Sequence, residues 1–274
     1  MLNNLFFDWY SASVDASPDY IVGMLKTVYK TSTLEPARPQ NGFTHGDRLV
    51  SPSGDTLITL WYGGAQQGTR TLVFASGVHA DKFAHSIRDL FPDHELVRAD
   101  PAIDYDEEGA YLSLARHGLR SSRAVSVGNR FIGEAGTEFS PHTAKGRSLY
   151  FGSRSSVSMI RVYEKGKKDD KTRPNWVRAE FEFKPKNIEA RLYYAKASIS
   201  EIVSATRLGR AFFGTLGVAV SLPSVPAGTV RVETDHERAM RALRAQYHNT
   251  IHKELALNGG DLHQLAIKLL SKPA

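Results

Sequence analysis

Cysteine is absent from all 274 residues. Disulfides, thiol nucleophiles and cysteine-based zinc sites are therefore excluded, and the composition suits a reducing compartment. Long apolar runs are missing as well. The most apolar stretch, AFFGTLGVAVSLPSVPAG at 211–228, is broken by two prolines and several polar residues, and is too interrupted to span a bilayer. The opening MLNNLFFDWY lacks the basic start and apolar length of a secretory leader. Ten histidines are present, yet none falls in a His-x-His or His-Glu-x-x-His arrangement. No Gly-Lys-Ser/Thr ending marks a phosphate loop, so nucleotide hydrolysis finds no support. No internal repeat is visible. These absences predict a cytoplasmic protein with no membrane partner.

What is present is ordinary in amount and specific in pattern. Hydrophobic residues make up 41% of the chain, enough for one large domain with an appendage. The net charge of +6 favours anionic partners such as nucleic acid. Segments 5–14, 55–62, 70–76, 96–104, 148–151, 157–165 and 176–183 alternate with period two and are rich in β-branched or aromatic residues, which predicts half-buried strands. Helical spacing marks 18–30, 80–90 and 107–117. Asn187 is placed to cap one long helix through about 206. Thr234 with Glu237 forms a capping box for a helix that Asn258-Gly259-Gly260 ends, and Asp261 caps a short last one. The fold class expected is α+β: an antiparallel-rich sheet with helices on one face, residues 1–222, plus a helical C-terminal tail, residues 231–274, joined through 222–229.

Three segments sort their side chains by sign. In WVRAEFEF, Arg178, Glu180 and Glu182 oppose Val177, Ala179, Phe181 and Phe183. In LVRADPAID, Arg98, Asp100 and Asp104 oppose Val97, Ala99 and Ile103, with Pro101 marking an edge strand or a bulge. In the third, Arg161, Tyr163 and Lys165 alternate along one strand. Two readings of this polar face are open. It is a solvated surface with cross-strand ion pairs of little energetic weight. Or it is a cleft whose carboxylates hold Mg²⁺ or Mn²⁺ against a phosphate, with a tyrosine beside them as nucleophile.

The pieces DWYSASV, WYGG then LVFASG, RADPAIDYD, GRSLYFGSRSSVSMIRVYEKG and WVRAEFEFKP, in this order over roughly residues 5 to 215, resemble the replication initiation factor family of rolling-circle replication. The family includes initiators of small plasmids and filamentous phages and some conjugative relaxases. The resemblance implies a nicking-endonuclease-like domain with carboxylates in place of a histidine pair. It implies cleavage of one strand at an origin through a tyrosine, leaving a 5′-phosphotyrosine adduct and a free 3′-OH. On matching positions Tyr163 is the nucleophile, and Asp104 and Glu180 hold Mg²⁺ or Mn²⁺, with Asp100 and Glu182 as second choices. Arg154, Arg161, Lys165 and Arg178 hold scissile-strand phosphates. The implied partners are origin DNA, as supercoiled duplex and single strand, and host replication proteins such as helicase and polymerase, in a bacterial cytoplasm; a homodimer is compatible with this. Two other readings remain: a non-catalytic origin-binding or regulatory protein, and a hydrolytic nuclease using water as attacker.

Overall fold

The computed structural model describes residues 5–65, 68–132, 146–218, 220, 225–228 and 235–270. These divide into two compact units, residues 1–230 and 231–274. In the first, the described residues form a ten-stranded sheet from β1 (Phe6–Val14), β2 (Thr33–Pro36), β3 (His45–Val50), β4 (Thr56–Tyr62), β5 (Thr71–Ser76), β6 (Glu95–Asp106), β7 (Asn129–Ile132), β8 (Ser148–Gly152), β9 (Ser158–Tyr163) and β10 (Trp176–Phe183). The spatial order is β2-β3-β4-β5-β1-β6-β10-β9-β8-β7. All of the pairings are antiparallel. The fold class expected from the sequence is the one found.

The helices of this unit are α1 (Pro18–Val28), α2 (Ala80–Leu90), α3 (Ala110–Ala124), α4 (Lys165–Asp169), α5 (Ile188–Lys196), α6 (Ile199–Ser204) and α7 (Arg207–Phe213). One core cluster joins Tyr10, Leu60, Val73, Ala99, Ile160 and Phe181 of the strands to Ile21, Phe83, Ile87, Leu114, Tyr194 and Phe212 of the helices. Strand residues of the opposite phase, among them Trp9, Arg161, Tyr163 and Glu180, lie outside that cluster. Strand alternation thus sends one set of side chains under the helices and leaves the other on an open face.

Several boundaries differ from the sequence reading for identifiable reasons. The single helix expected from Asn187 to about 206 is two, α5 and α6, and a third, α7, follows from Arg207. Ser198 and Glu201 form a capping box that restarts the chain as α6, and the Thr206 hydroxyl accepts from Gly209 N to start α7. Strands β2, β3 and β7 were not expected: each begins with polar residues, and β2 is mostly exposed and ends in proline. β9 ends at Tyr163, so Lys165 sits in α4 and not on the strand. Pro101 lies in a central strand, between β1 and β10, and not at an edge. The irregularity is taken up in β1, whose register shifts between Phe7 and Trp9 beside the Phe7–Pro101 pair.

The second unit contains α8 (Asp235–Leu257) and α9 (Leu262–Leu270), separated by Gly259 and Gly260, both with positive φ. Asp261 Oδ1 accepts from His263 N and Gln264 N at the start of α9. The proposed cap Thr234 lies outside the described residues. Among the described residues no helix is long and apolar enough to cross a membrane.

Candidate active site

Register places the site. Tyr163 pairs with Ser148 of β8 on one side and Arg178 of β10 on the other, and Arg178 pairs with Asp104 of β6. The next row along is Tyr150, Arg161, Glu180 and Ala102. Directly paired residues share a face, so these groups come together on the helix-free side although β6 and β9 are far apart in sequence.

The carboxylates expected to gather around a metal are each taken by a cation. Asp104 receives Arg178 through two parallel hydrogen bonds of 2.7 Å, and the same guanidinium reaches Asp8 Oδ1 at 2.5 Å. Arg161 donates to Glu180 Oε2 at 2.6 Å. Arg98 forms a two-bond pair with Asp100 and lies 3.0 Å from Glu182, which also receives Lys184 at 2.6 Å. Burial pushes the Asp100 carboxyl well up from its usual range, against the opposing pull of Arg98. Among the described residues no group of three or more His, Asp or Glu side chains is arranged to hold a metal ion. Arranged in this way, Asp104, Glu180, Asp100 and Glu182 do not fit a divalent cation, because their charge is already neutralised.

Tyr163 is only 4% exposed. Its hydroxyl donates to Glu180 Oε2 at 3.3 Å, and the Arg161 guanidinium lies 4.4 Å from its ring centre. Burial first, and then the charge of Glu180, push the hydroxyl far above the usual phenol range, with Arg161 and Arg178 opposing. The resting group is a protonated phenol hydrogen-bonded to a carboxylate oxygen that Arg161 also holds. Arg161 keeps its own charge firmly: desolvation works against it, but Glu180 outweighs that. Its Nε has no hydrogen-bond partner among the described residues, so one buried donor is left for an acceptor.

Beside this network is a cavity of about 250 Å³ lined by Arg98, Tyr150, Arg154, Met159, Arg161, Glu180, Glu182 and Lys184. Four cations, Arg98, Arg154, Arg161 and Lys184, and two carboxylates, Glu180 and Glu182, line this space, and the excess of positive charge suits an anion. Arg154 stands on the exposed Gly152–Ser156 turn and makes no ion pair among the described residues. Lys165, displaced into α4, pairs with Asp169 at 2.7 Å, yet its Nζ lies 5.9 Å from the Tyr163 ring centre. The cavity is lined by Tyr150 and not by Tyr163, and Tyr150 is 7% exposed.

Sequence reasoning assigned no site role to Asp8, Arg98 or Lys184, and it held Tyr150, in the neighbouring strand, as the rival to Tyr163. Arg98 was legible, since it alternates in phase with Asp100 and Asp104. Asp8 was not, because it is 170 residues from Arg178 and enters through the register shift in β1. Farther along the open face, Trp9 stacks on Phe74 with ring centres 5.0 Å apart, and Arg98 lies 4.9 Å from the Trp9 ring centre.

Comparison with known proteins bears on this arrangement. Residues 95–205 match the family model described as replication initiation factor. The match spans β6, β9 and β10, which carry most of the site. The fold is similar to that of the rolling circle replication initiator protein from Geobacillus stearothermophilus, with a TM-score of 0.51 at 16% identity, over 86% of this chain and 91% of that one. No curated protein matches the sequence.

Proposed function

We propose that this chain, whose central segment carries the replication initiation factor pattern, is a rolling-circle replication initiator that nicks one DNA strand through Tyr163. The observation that carries the reading is the Tyr163 hydroxyl bonded to Glu180 and flanked by arginines, inside the matched segment. Arg161, Arg178, Arg154 and Lys165 supply the positive charge that a scissile phosphate and its neighbours need. In the reaction the Tyr163 oxygen forms a bond to phosphorus as the bond to the 3′ oxygen breaks. The phenol proton passes to Glu180 and then to the departing 3′ oxygen. The products are a 5′-phosphotyrosine and a free 3′-OH. The phosphodiester energy is kept in the adduct, so rejoining needs no ATP.

Partners in this reading are origin DNA, as supercoiled duplex and as single strand, and the host helicase and polymerase that use the 3′-OH. Rolling-circle relatives lead to the expectation of Mg²⁺ or Mn²⁺. Such an ion finds Asp104 or Glu180 only where the arginine pairs have opened.

The test is covalent. Incubation with Mg²⁺ and a supercoiled replicon carrying the cognate origin is expected to give a protein–DNA adduct that survives denaturation and maps to Tyr163. Tyr163→Phe should abolish it while changing stability by no more than about 1 kcal/mol, the scale of one hydrogen bond. A second reading, favoured by the lining of the cavity, gives the attack to Tyr150; mapping the adduct to Tyr150 would establish it. If no adduct forms, the protein binds origins without cutting them, a role that suits a buried, protonated Tyr163.

A further inference from the structure

A second, larger cavity adjoins the site at this end of the sheet. It has a volume of about 510 Å³, and its lining includes Val127, Asn129, Tyr150, Arg154, Ser156 and Met159. Tyr150, Arg154 and Met159 also line the cation-rich cavity, so the two spaces adjoin through shared walls. Its volume is in the range of small-molecule sites and far exceeds what a lone phosphate needs.

The chemistry of the two cavities differs. The smaller is lined mostly by charged groups, with four cations against the carboxylates of Glu180 and Glu182. The larger has Arg154 at the shared wall, with the Val127 and Met159 side chains and the Tyr150 ring offering apolar surface. Asn129 and Ser156 add an amide and a hydroxyl, and neither side chain makes a hydrogen bond among the described residues. Apolar walls suit the faces of a flat ring. An uncommitted amide, with both donors and an acceptor, suits its edge. A site built to hydrogen-bond one edge rejects a wrong one because its own polar groups are then left unpaired.

We infer that the larger cavity takes one unpaired nucleobase of the strand whose phosphate occupies the smaller cavity, and that Asn129 and Ser156 read its edge. Arg154 holds the phosphate that joins the two positions. The assignment rests on the nicking reading for its choice of single-stranded DNA as ligand, and it deepens that reading by locating base recognition beside the cut.

The experiment measures fluorescence anisotropy of the full chain with short oligodeoxynucleotides of A, C or T, and with an abasic chain of the same length. The expected result is a preference of about tenfold among the bases, the discrimination one good edge contact gives, with every base sequence bound more tightly than the abasic chain. Asn129→Ala should erase the preference and leave affinity for the abasic chain unchanged; Ser156→Ala should reduce it. An intact preference in both variants overturns the assignment, and so does an equal loss for the abasic chain, which reports charge or folding in place of base contact. Covalent adduct formation separates the two ideas. Without any adduct, a preference controlled by Asn129 keeps the base site and removes the nicking role. An adduct at Tyr163 together with unchanged preference in both variants keeps nicking and removes the base site.

Discussion

At the scale of single residues, buried polar groups away from the site govern how the protein responds to pH. His94 is buried, with Nε2 2.8 Å from the Tyr10 hydroxyl and Nδ1 2.7 Å from the Phe91 carbonyl oxygen. Burial lowers its pKa from 6.5 to about 4; Arg88 and Lys196 add to the shift, while the Phe91 carbonyl and Asp93 oppose it. The folded chain therefore holds a neutral imidazole where the unfolded chain takes up a proton below pH 6.5. The stabilising contribution is complete above pH 6.5 and is lost as pH falls from there towards 4, about 3 kcal/mol at most. Denaturant titrations at pH 7, 5.5 and 4 should show this loss, and His94→Gln should flatten that part of the profile. An identical profile in the variant would assign the acid sensitivity to the arginine-paired carboxylates.

At the scale of elements, the helices reach the sheet where side chains are small. Gly118 in α3 lies against the fully buried Phe151 of β8, and a Cβ there would come within 2.3 Å of the ring. This close approach fixes α3 over the strands whose opposite face carries Tyr150 and Arg161. Gly118→Ala gains roughly 1 kcal/mol of helix propensity, but overpacking costs about 1–3 kcal/mol. A net loss of stability in urea is expected, and Phe151→Leu in the same chain should recover part of it, since contacting residues do not add independently. A purely additive double variant would mean that the helix shifts freely.

At the scale of the whole molecule, the chain divides at residues 230 and 231 into two compact units. The strands β6, β8, β9 and β10 all lie in the first unit. The stretch expected to act as a linker is tied to that unit where it is described: Lys186 N donates to the Ala227 carbonyl at 3.1 Å and Tyr194 donates to that of Val225 at 2.8 Å. Removing residues 231–274 should therefore spare cleavage of a single-stranded oligonucleotide carrying the nick site and weaken recognition of the duplex origin. Loss of oligonucleotide cleavage in a soluble truncated chain would place the tail in the catalytic unit.

The sequence by itself determined whatever depends on local periodicity. Alternation in WVRAEFEF assigned Val177, Ala179, Phe181 and Phe183 to the core and Arg178, Glu180 and Glu182 to the other face, and the burial of the first four agrees. Helix α2 and strand β10 were legible to the residue because their patterns are long and unbroken. Polar, short strands such as β7 were not, because pairing and not composition makes them strands. Tertiary structure alone decided which cation meets which carboxylate. Arg178 reaches Asp104 and Asp8 through neighbours set by strand order and by one register shift. It also decided that Tyr163, which alternation placed on a face open to solvent, is closed over by its neighbours. Face is set by the two-residue period of the strand; depth on that face is set by the size of side chains on strands that the local sequence does not specify.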